Sequence, residues 1–353
     1  MNIKYTKTNL DFKEIGPIGN NEGKNSEVFL AKDVQLDAEL VVKRIEISKF
    51  QNIDEYFLEA KMLYDNKHPN IMEIQWASKD DKFIYLSMPF LKKGSLNSLI
   101  DERYLSVREV IKYSLDLLSG VAYIHSKGLI HLDIKPTNIL IDKSNKAVLT
   151  DFGLSRYLDI NGIANQPFNY ITHVDPEWFL HSGRTVLSDI YQIGLTLYRL
   201  CNGNNILKQQ LTHLNVNSQD KFKEVVLNGT YPNREYFLPH IPLKLRKIIK
   251  KALDTDINKR YNNVIQIMND LSEIDENLDW KFTDNKDELY YLIKSGNKIS
   301  ISLKNKNDNV EILCTKTNLS SRRITNMNNY CSKGHNSDKL IKKEIERIIK
   351  ENN

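Results

Sequence analysis

Three polar residues, Asp133, Lys135 and Asn138, lie within six positions of one another between two apolar runs of the chain. A carboxylate at this place can accept a proton from an attacking hydroxyl, and an ammonium group two residues away can neutralise a phosphate. The amide oxygen of Asn138 suits a hard cation such as magnesium, and Pro136 stiffens the loop between these residues. This combination of a proton acceptor, a cation and an oxygen ligand indicates phosphoryl transfer.

The stretch from Leu129 to Asp142 resembles the catalytic loop of protein kinases, and Asp151-Phe152-Gly153 resembles the metal-binding tripeptide that follows that loop. The resemblance implies ATP and Mg²⁺ as cofactors. By this resemblance, Asp133 accepts the proton of the substrate hydroxyl and Lys135 neutralises charge on the γ-phosphate. Asn138 and Asp151 hold the metal. The resemblance also implies an α+β, bilobal fold with a β-rich N-lobe over about 12–88, a hinge at 89–91 and a mainly helical C-lobe over 92–276.

The nucleotide-covering loop of the family corresponds to a glycine-containing stretch near the N-terminus, where Gly19 and Gly23 interrupt two apolar runs. A hairpin with small residues at its tip lets backbone N–H groups approach phosphates. Counted back from Val28, the three usual glycine positions hold Asn21, Gly23 and Ser26. Asn and Ser tolerate unusual backbone angles, so we expect this loop still to cover the phosphates.

Lys43 ends an apolar run that predicts a buried strand, and Glu59 lies on a helix predicted over 53–67. By resemblance, Lys43 positions the α- and β-phosphates and pairs with Glu59. Two further strands, Ile71–Trp76 and Phe83–Met88, are predicted on either side of a charged turn.

By resemblance, Met88 lies at the back of the adenine pocket. Pro89 in the hinge has no backbone N–H group, so adenine is expected to bind the main chain of Phe90 and Leu91 instead. Three apolar side chains are expected to sandwich the adenine ring: Val28, Val41 and Leu140.

Several residues of the C-lobe have expected supporting roles. Glu177 should form a buried ion pair with Arg260, since a buried charge without its partner is costly. By resemblance, Asp189 braces the backbone near His131, and His131 packs beneath Phe152 instead of acting as a general base.

Leu132 stands where many regulated kinases carry an arginine that pairs with a phosphorylated activation segment. Without that cation no phosphate is needed for charge balance, so we predict that activity does not depend strictly on phosphorylation between residues 154 and 174. Lys135, two residues after Asp133, favours serine/threonine specificity. Tyr170 stands where such kinases usually have a threonine, which leaves the acceptor preference open.

The composition is that of a globular protein: the 353 residues are 41% hydrophobic and 27% charged, and about two domains are expected. The chain has no apolar run long enough for a membrane span, and Met1–Asp11 lack a signal-peptide core, so a cytoplasmic location is expected. Three cysteines without scaffold or zinc spacing predict free thiols.

Residues 277–353 lie outside the resemblance. Residues 281–353 carry a surplus of 6 positive charges, which leaves the rest of the chain near −1 and accounts for the net charge of +5. We predict a small basic β-β-β-α module with strands at Leu289–Ile293, Lys298–Leu303 and Val310–Cys314, an irregular segment at Thr315–Asn336 and a closing helix. It could bind an anionic partner such as RNA, DNA or a membrane surface, but protein docking or a solvated cap is favoured because no aromatic platform is evident.

The favoured interpretation is therefore an ATP- and Mg²⁺-dependent serine/threonine kinase acting on protein substrates, with a C-terminal module for regulation or docking. The substituted glycines favour a second hypothesis, an inactive nucleotide-binding scaffold, but such a scaffold has no need for the whole polar set. A third hypothesis is a nucleic-acid sensor in the C-terminal module, and a fourth is a small-molecule phosphotransferase. The fourth does not account for Asp175-Pro176-Glu177 and Arg260, which build a peptide-docking platform in the family.

Overall fold

The structure is a computed structural model. It describes residues 10–18, 26–49, 61, 64, 67–164, 173–180, 183–285, 287–306, 309–335 and 337–353. Five residues with predicted roles lie outside the described residues: Gly19, Asn21, Gly23, Glu59 and Tyr170. Most of the helix predicted over 53–67 also lies outside them.

The N-lobe is an antiparallel sheet in the order β1-β2-β3-β5-β4. Its strands are β1 (Phe12–Pro17), β2 (Ser26–Asp33), β3 (Glu39–Glu46), β4 (Trp76–Lys79) and β5 (Phe83–Pro89). Side chains alternate between the two faces of each strand. One face buries Phe29 and Val42 against Phe12 and Trp76, and the opposite face carries Lys43.

The strand predicted at Ile71–Trp76 is wrong, because β4 begins only at Trp76. The backbone around Ile71 pairs with the C-lobe instead: Met72 N donates to Leu149 O (2.8 Å), and Leu149 N donates to Asn70 O (2.9 Å). The apolar residues of this stretch are therefore explained by packing between the two lobes and not by a strand.

The C-lobe is mainly helical. Its helices are α1 (Leu96–Glu102), α2 (Val107–Ser126), α3 (Pro176–Phe179), α4 (Val186–Asn202), α5 (Asn205–His213), α6 (Gln219–Leu227), α7 (Leu243–Ala252) and α8 (Val264–Ser272). Two short strand pairs frame the catalytic loop: β6 (Leu129–Ile130) with β9 (Arg156–Tyr157), and β7 (Ile139–Ile141) with β8 (Ala147–Leu149). Ser106-Val-Arg-Glu109 has the sequence of a capping box, which predicts a helix start at this place. The structure confirms it, because Ser106 Oγ accepts from Glu109 N and Glu109 Oε2 accepts from Ser106 N (2.9 Å).

Within the residues that the structure describes, the C-terminal part of the chain forms a sheet of six strands covered by one helix. The elements are β10 (Lys281–Phe282), β11 (Tyr290–Lys294), β12 (Asn297–Lys306), β13 (Asn309–Asn318), β14 (Ile324–Asn326), β15 (Ser332–His335) and α9 (Asp338–Glu351). The irregular segment predicted at Thr315–Asn336 is wrong, because β14 and β15 both pair with β13. Their residues are mostly polar and half-buried or exposed, so the segment has no hydrophobic alternation to reveal them.

This module has its own core, formed around Trp280, Ile301, Ile312 and Ile348, all fully buried. It also contacts the C-lobe: the ring of Phe282 lies 4.5 Å from that of Tyr104, in an edge-on arrangement. Two ion pairs cross the same boundary, Arg108–Asp279 (2.6 Å) and Arg246–Glu346 (2.8 Å). None of the helices within the described residues is long and apolar enough to cross a membrane.

Candidate active site

The loop between β6 and β7 brings Asp133, Lys135 and Asn138 into direct contact. Lys135 Nζ lies 3.1 Å from Asp133 Oδ2, and Asn138 Nδ2 donates to the same oxygen at 2.8 Å. Asp133 Oδ1 is buried and accepts no hydrogen bond from the described residues. A buried acceptor without a donor is costly, and an incoming hydroxyl would satisfy it.

The environment of Asp133 suits a proton acceptor. Burial raises the pKa of its carboxyl group to about 6, against the opposing effect of Lys135, and the negative charge of Asp151 adds to the rise. The group is therefore ionised at neutral pH but binds a proton more readily than an exposed aspartate does.

Asp151 lies directly opposite Lys43, which comes from the N-lobe. Lys43 Nζ is 3.0 Å from Asp151 Oδ1, and this positive charge is the main reason that the pKa of Asp151 falls to about 2. The Asp151 side chain is still 44% exposed, so its carboxylate remains accessible from the cleft. Carboxylate and amide oxygens such as those of Asp151 and Asn138 are the ligands that Mg²⁺ prefers.

The strand register places the predicted adenine-pocket residues on the cleft face of the N-lobe sheet. Val28 lies opposite Lys43, and Val41 lies opposite Met88, so these four side chains share one face. Val28, Val41 and Met88 are half-buried, as is Leu140 on β7 across the cleft. Phe90 and Leu91, also half-buried, follow β5 at the hinge, and Ser26 opens β2.

A family model described as "Protein kinase domain" matches residues 12–271, which include every residue of this site. The chain belongs to the protein kinase family. It is similar to the "Probable serine/threonine-protein kinase PknB" of Lactococcus lactis (29% identity over 304 residues, 82% of this chain and 46% of the relative). It is also similar to the "Serine/threonine-protein kinase PrkC" of Bacillus subtilis (27% identity over 282 residues, 75% of this chain and 41% of the relative). The chain thus spans less than half the length of these two relatives.

Helix α4 supports the catalytic loop of this kinase domain from below. As expected, Asp189 braces the loop: its Oδ2 accepts from His131 N (2.9 Å) and its Oδ1 from Leu132 N (2.7 Å). Gln192, for which the sequence predicted no role, accepts from Ile134 N (2.8 Å) and donates to Leu132 O (2.8 Å). The sequence did contain a signal for Gln192: it lies three residues after Asp189 on an apolar helix, so the two polar side chains share one face.

His131 has the expected packing role. Its ring lies 4.8 Å from that of Phe152 in an edge-on arrangement, and its Nε2 is 3.2 Å from Thr150 O. Burial lowers the pKa of the imidazole, which favours the neutral form of a core residue.

The ion pair predicted between Glu177 and Arg260 is confirmed. Arg260 Nη2 lies 2.7 Å from Glu177 Oε1, and Arg260 Nη1 donates to Leu187 O (3.0 Å). A second buried ion pair, between Arg184 and Asp175, was not predicted from the sequence.

Leu132 lies in a small apolar cluster with Ile130 and Ala164, and all three are buried. Ser155, a possible phosphorylation site, is also buried, and its hydroxyl donates to His131 O (3.2 Å). In this conformation a phosphate could not be placed on Ser155 without breaking that contact.

A groove of about 1050 Å³ opens on another side of the hinge, between residues 67–73, 89–93 and 142–143. None of Val28, Lys43 or Asp151 lines it. The polar residues described above define the candidate active site better than the volume of this groove does.

Proposed function

We propose that this chain is an ATP- and Mg²⁺-dependent protein kinase that transfers the γ-phosphate of ATP to serine or threonine hydroxyls. The observation that carries the proposal is the state of Asp133: one carboxylate oxygen is held by Lys135 and Asn138, and the other is buried without a donor among the described residues. Serine/threonine specificity is supported by the names of the two relatives and by Lys135. Protein substrates are supported by the platform anchored through Glu177 and Arg260.

Each side chain of the site then has a distinct task. Asp133 accepts the proton of the substrate hydroxyl at Oδ1, while Lys135 and Asn138 hold Oδ2 and so fix the direction of Oδ1. Lys135 neutralises charge on the γ-phosphate. Lys43, held against Asp151, positions the α- and β-phosphates. When bound, Mg²⁺ neutralises phosphate charge, and Asn138 and Asp151 are the residues that would hold it.

The remaining predicted nucleotide contacts form part of the same proposal. Val28, Val41, Met88 and Leu140 enclose the adenine, and the main chain of Phe90 and Leu91 binds its edge. The loop with Gly19, Gly23 and Ser26 covers the phosphates, and Glu59 fixes Lys43.

The decisive experiment compares phosphate transfer from labelled ATP to a generic basic protein by wild type, Asp133→Ala and Asp220→Ala. Loss of the proton acceptor should reduce the rate by on the order of 10²–10⁴. The control, an exposed aspartate on α6, should match wild type. Phosphoamino-acid analysis of the product tests the acceptor, because phosphotyrosine alone would contradict serine/threonine specificity. A wild type that binds ATP but transfers no phosphate would indicate the scaffold instead.

We propose further that activity does not strictly require phosphorylation between residues 154 and 174, within the activation segment (residues 151–177). Leu132 has no positive charge with which a phosphate could pair, and it packs against Ala164 of that segment. A triple variant in which Ser155, Tyr170 and Thr172 are all replaced by residues without hydroxyl groups should keep substantial transfer activity. Loss of nearly all activity in a variant that still binds ATP would contradict this.

For residues 277–353 we propose a role in regulating the kinase domain or in docking a partner. The module's attachment to the C-lobe would connect either role to the kinase domain. The contact of Phe282 with Tyr104 gives the module a direct connection to the segment between α1 and α2. An anionic partner is tested by filter binding of RNA and DNA to the full chain across salt concentrations. No binding even at low salt would exclude nucleic acid.

A further inference from the structure

Arg184 is a buried arginine on the short connection between α3 and α4. Only 2% of its surface is exposed, and its guanidinium forms an ion pair with Asp175, which is fully buried. Arg184 Nε also donates to Ser188 Oγ (3.2 Å), and the guanidinium carbon lies 5.8 Å from the centre of the Trp178 ring. One side chain thus joins the end of the activation segment to α3 and α4.

The backbone of Arg184 contacts the same segment at a second place. Ala164 N donates to Arg184 O (2.8 Å), and Arg184 N donates to Ala164 O (2.9 Å), forming a two-bond antiparallel bridge. Ala164 and Asp175 lie on opposite sides of residues 165–172. Arg184 therefore holds the segment both before and after that stretch.

The end of the segment held in this way lies next to the catalytic loop. His173, two residues before Asp175, is buried, and its Nε2 is 3.0 Å from Arg199 Nη1. Burial, followed by the positive charges of Arg199 and Lys135, lowers the pKa of His173 well below its usual value. The charge of Lys135 in the catalytic loop therefore acts on His173 at this end of the segment. On the other side, Pro176 and Glu177 continue into α3 above Arg260.

The charge of Arg184 is balanced from within the segment. Asp175 supplies the carboxylate that pairs with Arg184. Leu132, which packs beside Ala164, brings an apolar contact and no second cation to this part of the segment. A buried ion pair is sensitive to the loss of one partner, because the remaining charge is left uncompensated, whereas replacing both partners by apolar residues is often tolerated.

We propose that Arg184 is a positioning residue for the peptide substrate: paired with Asp175 and bridged to Ala164, it holds the activation segment in its docking conformation without a phosphate. This inference rests on the proposed kinase function, and it adds the residue that takes over the role of the phosphate. Arg184 touches neither ATP nor the reacting atoms, so its removal should affect peptide binding and turnover more than ATP binding.

The test uses the full chain, treated with phosphatase and shown by mass to carry no phosphate. Arg184→Met should raise the KM for a peptide substrate by at least about tenfold and lower kcat, because small misplacements of a positioned substrate are costly. The KM for ATP should stay within about twofold of wild type. The double variant Asp175→Ala/Arg184→Met, which leaves no unpaired charge, should keep the raised peptide KM, because the side-chain link between Arg184 and the segment is missing in it as in Arg184→Met.

The matched control is Arg234→Met. Arg234 is a half-buried arginine that donates to the carbonyls of Leu253 and Gly229, away from the segment, and its substitution should leave both KM values unchanged. If Arg184→Met does not fold, as judged by circular dichroism, Arg184→Lys takes its place. Lysine keeps the charge but loses the planar fork, so it should give a smaller rise in the peptide KM.

Three results would overturn the inference: an unchanged peptide KM in Arg184→Met, or in Arg184→Lys if that variant is used; a double variant whose peptide KM returns to the wild-type value; or loss of wild-type activity on dephosphorylation. The first two results leave phosphate transfer by the wild type intact, and the third leaves it intact in protein that has not been dephosphorylated, so the proposed function would survive each of them. A wild type that binds ATP and never transfers phosphate would refute the proposed function itself.

Discussion

The two oxygens of the Asp133 carboxylate have different surroundings, and this difference makes the residue suited to catalysis. Lys135 and Asn138 hold Oδ2 at 3.1 and 2.8 Å, which fixes the carboxylate plane without satisfying Oδ1. Burial at the same time keeps the pKa high enough for proton transfer near neutral pH. A carboxylate with both oxygens bonded, or one open to solvent, would lack one of these two properties.

This environment predicts a specific pH dependence. The active form of Asp133 is the carboxylate, and its pKa is raised to about 6, so kcat/KM should fall as pH drops through about 6 and level off above that pH. The measurement is a pH profile of peptide phosphorylation at saturating Mg²⁺. Circular dichroism over the same range serves as the control for folding. A profile that stays flat down to about pH 5 would contradict the assignment of Asp133.

At the scale of elements, helix α4 determines the shape of the catalytic loop. Asp189 and Gln192 bond three backbone N–H groups of the loop, those of His131, Leu132 and Ile134, and Gln192 also bonds Leu132 O. Leu132 has a φ of 65°, a conformation that non-glycine residues rarely adopt. These buried hydrogen bonds compensate for the strain of that conformation.

Gln192→Leu tests this support. The substitution leaves Ile134 N–H and Leu132 C=O buried without partners, which should lower the free energy of unfolding by about 1–3 kcal/mol for each group. The rate of phosphate transfer should fall as well, with the KM for ATP nearly unchanged. Urea denaturation and steady-state kinetics measure both effects. The control is Gln266→Leu on the exposed face of α8, and equal behaviour of the two variants would refute the supporting role of Gln192.

At the scale of the whole molecule, the C-terminal module is attached to the kinase domain by aromatic packing and ion pairs. Phe282 packs against the cores of both units, 4.5 Å from Tyr104 in the C-lobe and 5.1 Å from Tyr290 in the module. Exposed ion pairs such as Arg108–Asp279 contribute little to stability. The aromatic contact should therefore contribute more to the attachment than this ion pair does.

Phe282→Ala should weaken this attachment. The lost apolar burial and ring contact should lower the stability of the chain by about 1–3 kcal/mol. Thermal unfolding followed by tryptophan fluorescence should show a lower midpoint, because the neighbouring Trp280 lies in the module core. Leu340→Ala, at a half-exposed position on α9, is the control and should change the midpoint little. A Phe282→Ala midpoint equal to that of the control would show that the two units are held by other contacts.

The sequence alone determined the parts of this protein that depend on local order. Asp133, Lys135 and Asn138 lie within one six-residue stretch, so their meeting needs no distant partner. The Ser106 capping box and the alternation of apolar and serine residues over 299–303 in β12 are local in the same sense. The ion pair of Glu177 with Arg260 is distant in sequence, and only the family resemblance predicted it.

The tertiary structure decided which distant groups meet. The backbone at Ile71 and Met72 pairs with Leu149 of the C-lobe and not with the N-lobe sheet. The mostly polar residues of β14 and β15 form strands because they pair with β13. Likewise, neither Arg184 nor Asp175 carries a local sign that it will be buried, since a charge enters the interior only where folding brings its counter-charge to it. Local patterns specify what a segment can do, and the partners supplied by the fold select which of those possibilities is realised.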